Sequence, residues 1–119
     1  YSVVTTGSRD QEFAEKRQAS AQQIAFYGST PAYRPVLEQH GWGELQQELN
    51  VLSKQGKWVE MADLISDDIL DAFGVVSHDP SKVGAMLRER SEPYADRVSC
   101  LFDLPNEQMQ RDAIAALRA

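Results

Sequence analysis

The segment from Ile24 to Trp42 reads IAFYGSTPAYRPVLEQHGW and concentrates turn-forming residues with aromatic, arginine and histidine side chains. We predict that Gly28 ends one helix as a left-handed stop, that residues 31–33 form a single turn, and that a second helix runs over residues 35–40. Thr30 is the expected cap of this turn, because a proline follows it. Loops on a rigid scaffold carry binding residues, so functional side chains are expected here.

Two segments away from this turn predict β-strands. Residues 1–6 (YSVVTT) and residues 97–102 (RVSCLF) are rich in β-branched and aromatic side chains. Val75 and Val76 are interpreted as a two-residue extended link. The order strand, helices, strand, helix predicts a parallel βαβ unit. Parallel strands are buried on both faces, so these two strands are expected to need companions from outside this chain.

Helical periodicity covers most of the remaining sequence. The first helix begins at Ser8, and Arg17 lies within its apolar face, where we expect it to snorkel or to form an ion pair. Gly41 and Gly56 are predicted to break the helices that precede them. Further helices are predicted over residues 44–55, 57–65, 66–73 and 79–90 and after Pro105. The helix over residues 57–65 has one apolar face, formed by Trp58, Met61, Ala62 and Ile65.

Composition limits the possible functions. The chain has 119 residues and a net charge of -6, which argues against nonspecific nucleic-acid binding and against a polybasic membrane contact. No apolar run approaches the ~20 residues of a spanning helix, and no signal-peptide pattern is present. The single cysteine, Cys100, excludes an internal disulfide and fits the cytoplasm; on its strand it is expected to be a buried thiol. The chain begins in mid-strand, so we expect it to be a piece of something longer.

Four segments resemble the luciferase-like monooxygenase family, in the subgroup assigned to coenzyme F420. They are QIAFYGSTPAYRPVLEQHGW (residues 23–42), LISDDILDAFGVV (64–76), DPSKVGAMLRER (79–90) and DRVSCLF (96–102). The first is specific and the last two are generic. One departure is His78, which stands where the family usually has glycine.

This resemblance implies an α/β, predominantly helical fold: the C-terminal part of a (β/α)8 TIM barrel, with its last two strands and rim helices in one segment, residues 1–119. It also implies a fragment of an F420- or flavin-dependent oxidoreductase or monooxygenase that acts on a small organic substrate. The cofactor would be coenzyme F420, or alternatively FMN, bound mainly by residues upstream of this chain. The fragment alone is expected to be inactive.

A noncatalytic, self-associating helical interaction module is the alternative hypothesis. In both cases we expect a homo-oligomer or association through the exposed strand surface. Neither hypothesis predicts a nucleic-acid or membrane partner.

The resemblance places residues 27–42 near the mouth of the barrel, where such enzymes have their sites. Arg34 either binds an anionic group or pairs with Glu38. His40 either donates a proton or stabilises a helix end. No catalytic residue is assigned, and Asp67 and Asp68 are interpreted as helix-start carboxylates rather than metal ligands. The candidates near substrate or cofactor are Tyr27, Thr30, Tyr33, Arg34, His40 and Trp42, with junction packing as the alternative role of the three aromatics.

Overall fold

The structure is a computed structural model that describes residues 3–98, 104 and 106–118. The chain divides into two compact units, Tyr1–Lys16 with Gly74–Ala119 and the continuous segment Arg17–Phe73. The described elements are β1 (Val3–Thr6), α1 (Asp10–Gly28), α2 (Arg34–Glu38), α3 (Gly43–Lys54), α4 (Trp58–Asp63), α5 (Asp67–Phe73), β2 (Gly74–Ser77), α6 (Val83–Ser91) and α7 (Glu107–Arg118). Short 3₁₀ turns, Pro31–Tyr33 and Pro80–Lys82, precede α2 and α6.

The first unit contains a two-stranded parallel sheet. β1 pairs with β2 from Val3 opposite Gly74 to Thr6 opposite Ser77. A side chain at Gly74 would overlap the carbonyl oxygen of Val3, so the close pairing at this end requires glycine. The pairing of β1 with β2 therefore depends on glycine, a residue type that is usually depleted in strands.

The core of the first unit lies between the sheet and the last two helices. Val75, Val83 and Leu87 form a buried cluster. Helices α6 and α7 approach closely at Gly84, where an added Cβ would lie 2.6 Å from the carbonyl oxygen of Ala113. Partly buried Val4, Met86 and Leu117 complete this cluster.

The prediction of a (β/α)8 barrel segment is wrong. In the described residues the sheet has two strands, and the second is β2, where the sequence predicts only a two-residue extended link. Arg97 and Val98 are not in a strand, and residues 99–102 of the predicted strand, with Cys100, lie outside the described residues. Val3, Thr5 and Val75 are only 4%, 0% and 5% exposed, so the strands are buried without barrel neighbours. Over the described residues, the fold is small and predominantly helical, with one pair of strands.

The second unit is helical, and its largest buried side chains are Leu37, Leu49, Met61, Ile65 and Leu70. Two of its helix ends follow the same left-handed glycine pattern. Gly41 has φ 81° and Gly56 has φ 69°. After each glycine, the next backbone N–H returns to the helix: Trp42 donates to the carbonyl of Leu37 at 2.9 Å and Lys57 to that of Leu52 at 3.0 Å. Both predicted breaks are confirmed.

Other local predictions have mixed outcomes. The single turn Pro31–Tyr33 is confirmed. Gly28, however, is the last residue of α1 and does not have a positive φ, so the predicted left-handed stop is wrong. An added Cβ there would lie 3.1 Å from Cδ1 of Leu49, so a larger residue would require the Leu49 side chain to shift. Met61, Ala62 and Ile65 are buried as their shared apolar face predicts, whereas Trp58, placed on the same face, is 48% exposed. His78 adopts an ordinary negative φ and needs no glycine.

Candidate functional site

The turn between α1 and α2 is fixed to α3 through one carbonyl oxygen. The carbonyl of Ser29 accepts hydrogen bonds from Nε2 of Gln46 at 3.0 Å and from Nδ2 of Asn50 at 3.1 Å. The hydroxyl of Ser29 donates to the carbonyl of Phe26 at 2.7 Å. Because Ser29 and Gln46 are both buried, these bonds hold the turn residues against the scaffold rather than leaving them in a free loop.

The end of α2 places two of the candidate side chains. The left-handed Gly41 turns the chain so that Trp42 returns over the helix end. The rings of His40 and Trp42 stack at a centroid distance of 5.0 Å and an interplanar angle of 18°. The His40 ring also lies 5.8 Å from the ring of Phe73. His40 is therefore engaged in ring packing, although it remains exposed.

Two adjoining hollows on the second unit share Arg34, Glu44 and Glu48, and we call them together the Arg34 groove. One has a volume of about 560 Å³ and is lined further by apolar side chains of Val51, Leu52 and Leu64. The other, of about 580 Å³, includes Glu38, Trp42, Leu45 and Ile69. The groove is open to solvent and has the size of a small-molecule site.

The charge in the Arg34 groove is mainly negative. Nε of Arg34 donates to Oε1 of Glu38 at 2.8 Å, one helical turn away. This confirms the pairing alternative for Arg34. Glu44 and Glu48 add two further carboxylates from α3. Among the described residues that line the groove, a single guanidinium therefore stands against three carboxylates, and the electrostatics favour neutral or cationic groups over anions.

A second exposed feature of this unit is aromatic. Phe26, Tyr27 and Trp58 are 56%, 39% and 48% exposed. The ring of Phe26 lies 5.7 Å from that of Tyr27 in an edge arrangement and 6.3 Å from that of Trp58. Together with Gln22 and Gln23 they border a hollow of about 400 Å³. We call these five residues the aromatic surface.

The six predicted candidates do not form one site. Arg34 and Trp42 line the Arg34 groove. Tyr27 lies on the aromatic surface, and Tyr33 contacts it at a ring distance of 5.8 Å. His40 packs on Trp42. Thr30 is exposed and occupies the N-cap position before Pro31 as predicted, but its side chain makes no capping hydrogen bond.

Sequence reasoning missed four residues that shape these surfaces: Phe26, Glu44, Glu48 and Trp58. Glu44, Glu48 and Val51 follow i, i+4, i+7 spacing along α3, and this repeat could have indicated one exposed acidic face. Phe26 follows buried Ile24 and Ala25 directly, so it leaves the buried face of α1. The contact between Phe26 and Trp58 depends on how α1 and α4 pack together, so the sequence near either residue does not predict it.

Two carboxylates outside the groove have structural roles. Asp67 accepts from Nη2 of Arg17 at 2.8 Å, so Arg17 pairs as predicted. In the first unit, Asp79 caps a turn through bonds from the hydroxyl of Ser81 at 2.7 Å and its backbone N–H at 3.0 Å. The Ser81 hydroxyl, followed by the backbone bond, holds the pKa of Asp79 below its ordinary value.

The described residues form neither a metal-binding cluster nor a membrane-spanning helix. Over residues 3–98, 104 and 106–118, no three histidine, cysteine, aspartate or glutamate side chains gather in a group that could hold a metal ion. Within the same ranges, no helix combines the length and apolar character needed to cross a bilayer.

Comparison with known proteins gives relatives without an assigned function. "Uncharacterized protein Rv1360" of Mycobacterium tuberculosis (strain ATCC 25618 / H37Rv) is 48% identical over 116 residues, which cover 98% of this chain and 34% of the relative. "Uncharacterized protein Mb1395" of Mycobacterium bovis matches with the same identity and coverage. The chain thus spans about a third of the length of these curated relatives. No family model matches this chain, and no solved structure matches it.

Proposed function

We propose that this chain is part of an oxidoreductase that uses coenzyme F420, or alternatively FMN, and acts on a small organic substrate. The resemblance of residues 23–42 supports this proposal. The observation on which the proposal rests is the Arg34 groove. Arg34 and Trp42 of this segment line it, together with the apolar side chains of Val51, Leu52 and Leu64. A protein of the relatives' length has about two thirds of its chain elsewhere to bind a cofactor.

The groove itself does not fit the cofactor. Both cofactors carry an anionic phosphate, which proteins hold with backbone N–H groups and cations. Here the guanidinium of Arg34 is already bonded to Glu38, and Glu44 and Glu48 would repel a phosphate. We therefore assign cofactor binding to the rest of a longer protein, and this chain's groove to the substrate.

The groove residues suit an organic substrate without negative charge. Val51, Leu52 and Leu64 offer apolar contact, and Trp42 offers a ring face. Glu44 and Glu48 would attract a cationic or hydrogen-bond-donating group. The roles proposed for this chain are thus binding and orientation, while the cofactor supplies the redox chemistry.

Fluorescence titration with coenzyme F420, and separately with FMN, tests the proposal. A full-length protein that contains this chain is expected to give a saturable change with one of the two cofactors. The isolated 119-residue chain serves as the matched control and is expected to give none. If the full-length protein binds neither cofactor, the oxidoreductase proposal is wrong and the noncatalytic interaction module becomes the better hypothesis. The proposed location of the enzyme is the cytoplasm, as the single cysteine within these 119 residues suggests.

A further inference from the structure

The Arg34 groove holds two neighbouring carboxylates. Glu44 and Glu48 line both of its hollows and lie one helical turn apart on α3. Like charges at this spacing repel each other. The guanidinium of Arg34, which lines the same groove, is bonded to Glu38. Over the described residues, neither Glu44 nor Glu48 forms an ion pair or a side-chain hydrogen bond. A cation from outside the chain would therefore relieve their repulsion.

Apolar side chains continue the groove from these carboxylates. Val51 lies on the same face of α3 as Glu44 and Glu48 and is 50% exposed. It lines the first hollow together with Leu52 and Leu64. At a rise of about 1.5 Å per residue, Val51 lies about 5–10 Å along the helix from the two glutamates. This distance suits an alkyl chain of about four to eight carbons.

Other classes of ligand fit the groove less well. An anion would be repelled by both carboxylates. A metal ion gains nothing from apolar side chains, and the described residues contain no group of histidine, cysteine, aspartate or glutamate side chains that could hold one. An organic cation uses both the charged and the apolar part of the groove, and the ring of Trp42 in the second hollow can add a cation–π contact.

We propose that the Arg34 groove binds an aliphatic primary amine in its ammonium form. The ammonium group lies between Glu44 and Glu48, because its N–H groups can donate to both carboxylates at once. Its alkyl chain covers Val51, Leu52 and Leu64. Its role as the substrate rests on the proposed function, whereas its binding to the groove does not.

Titration of the ¹⁵N-labelled 119-residue chain with hexylamine at neutral pH, followed by NMR, tests the proposal. The largest shift changes are expected at the amides of residues 44–52 and at the indole N–H of Trp42. We expect a dissociation constant of about 1–10 mM, since a small ligand binds weakly to an open groove. Hexanoate, with the same chain length and the opposite charge, is expected to bind about tenfold more weakly, with hexan-1-ol in between.

Charge-removing variants locate the ammonium group. Glu48→Gln keeps the side-chain shape and is expected to weaken hexylamine binding about 2–5-fold. The double variant with Glu44→Gln is expected to weaken it about tenfold. The matched control is Glu89→Gln, which changes the net charge equally at an exposed position of the first unit and is expected to have no effect. The NMR spectrum of each variant shows whether it is folded.

A change in the apolar part of the groove tests the position of the alkyl chain. Val51→Ser is expected to remove most of the advantage of hexylamine over propylamine, because only the longer chain reaches this residue. An unchanged preference for hexylamine in this variant would show that the chain lies elsewhere and would overturn the proposed binding mode.

Three further results would overturn the proposal. They are equal affinities for hexanoate and hexylamine, equal weakening by Glu89→Gln and Glu48→Gln, and no shift changes at about 50 mM hexylamine. Calcium chloride that produces the same shifts at lower concentration would indicate a metal site instead.

The cofactor titration of the full-length protein separates this inference from the proposed function. Amine binding by the chain without cofactor binding by the full-length protein keeps the amine site and removes the oxidoreductase. Cofactor binding without amine binding does the reverse.

Discussion

Two side chains, Gln46 and Asn50, donate to the same carbonyl oxygen of Ser29. We therefore predict that the losses of unfolding free energy caused by mutating these two donors are not additive. Gln46→Met removes one donor and keeps most of the buried volume, and Asn50→Leu removes the other with a side chain of similar shape. Each single variant leaves the carbonyl one partner. The expected loss of unfolding free energy is then about 1 kcal/mol for each, the net value of one neutral hydrogen bond.

The double variant is expected to lose more than the sum of the singles. It leaves the carbonyl of Ser29, a residue only 8% exposed, without either side-chain donor. An unsatisfied buried carbonyl costs about 1–3 kcal/mol beyond the lost bonds. The total is therefore about 3–5 kcal/mol, with a coupling energy of about 1–3 kcal/mol between the two positions.

Urea unfolding followed by tryptophan fluorescence measures these values. The chain has two tryptophans, and both Trp42 and Trp58 lie in the second unit, so the signal reports on the unit that contains Ser29. A loss of 1 kcal/mol lowers the midpoint by about 0.3–1 M. Gln47→Met on the same helix is the matched control and is expected to change the stability by less than about 0.5 kcal/mol. If the double variant equals the sum of the singles within about 0.3 kcal/mol, the shared-acceptor argument is refuted.

Three further predictions concern stability. Leu37→Ala, at a residue 1% exposed, is expected to cost about 2–5 kcal/mol in the same urea assay; a loss below about 1 kcal/mol would show that Leu37 is not a core residue. Gly41→Ala is expected to cost about 1–2 kcal/mol, because φ is 81° with open space around the Cβ position, and Gly41→Asn less; thermal melts that rank asparagine below alanine would contradict this. The lowered pKa of Asp79 means that its charged form stabilises the fold above pH 3.8 and that this contribution is lost as the pH falls through the lowered value. Asp79→Asn is therefore expected to lower the melting temperature more at pH 7 than at pH 2. An equal difference at both pH values would disprove the role of ionisation.

Features set by neighbouring residues were predictable from the sequence. The left-handed ends at Gly41 and Gly56, the turn at Pro31–Tyr33 and the cap at Asp79 each depend on side chains within a few positions. The pairing of Arg34 with Glu38 was also within reach, since the two residues are one helical turn apart. Such local chemistry is unaffected by the arrangement of the rest of the chain.

Features set by distant residues were not predictable. β2 has four residues and is defined by its pairing with β1, far away in sequence, so its Val-Val pair resembled a linker. The pattern of α4 marked Trp58 as apolar but did not indicate whether a neighbour covers it. The Arg34 groove combines residues of α2, α3, α5 and the segments between helices, so its acidic character appears only in three dimensions.

The parallel pairing of β1 and β2 has a consequence for synthesis on the ribosome. About 70 residues separate the two strands in sequence, so at 5–20 residues per second β1 emerges roughly 4–14 s before its partner. The continuous Arg17–Phe73 unit is complete during this interval and can fold first. Nascent β1 must meanwhile be sheltered from aggregation, because an apolar strand without a partner is a template for other chains. Slow codons placed after β2 would not shorten this exposure, whereas rapid translation through the second unit would.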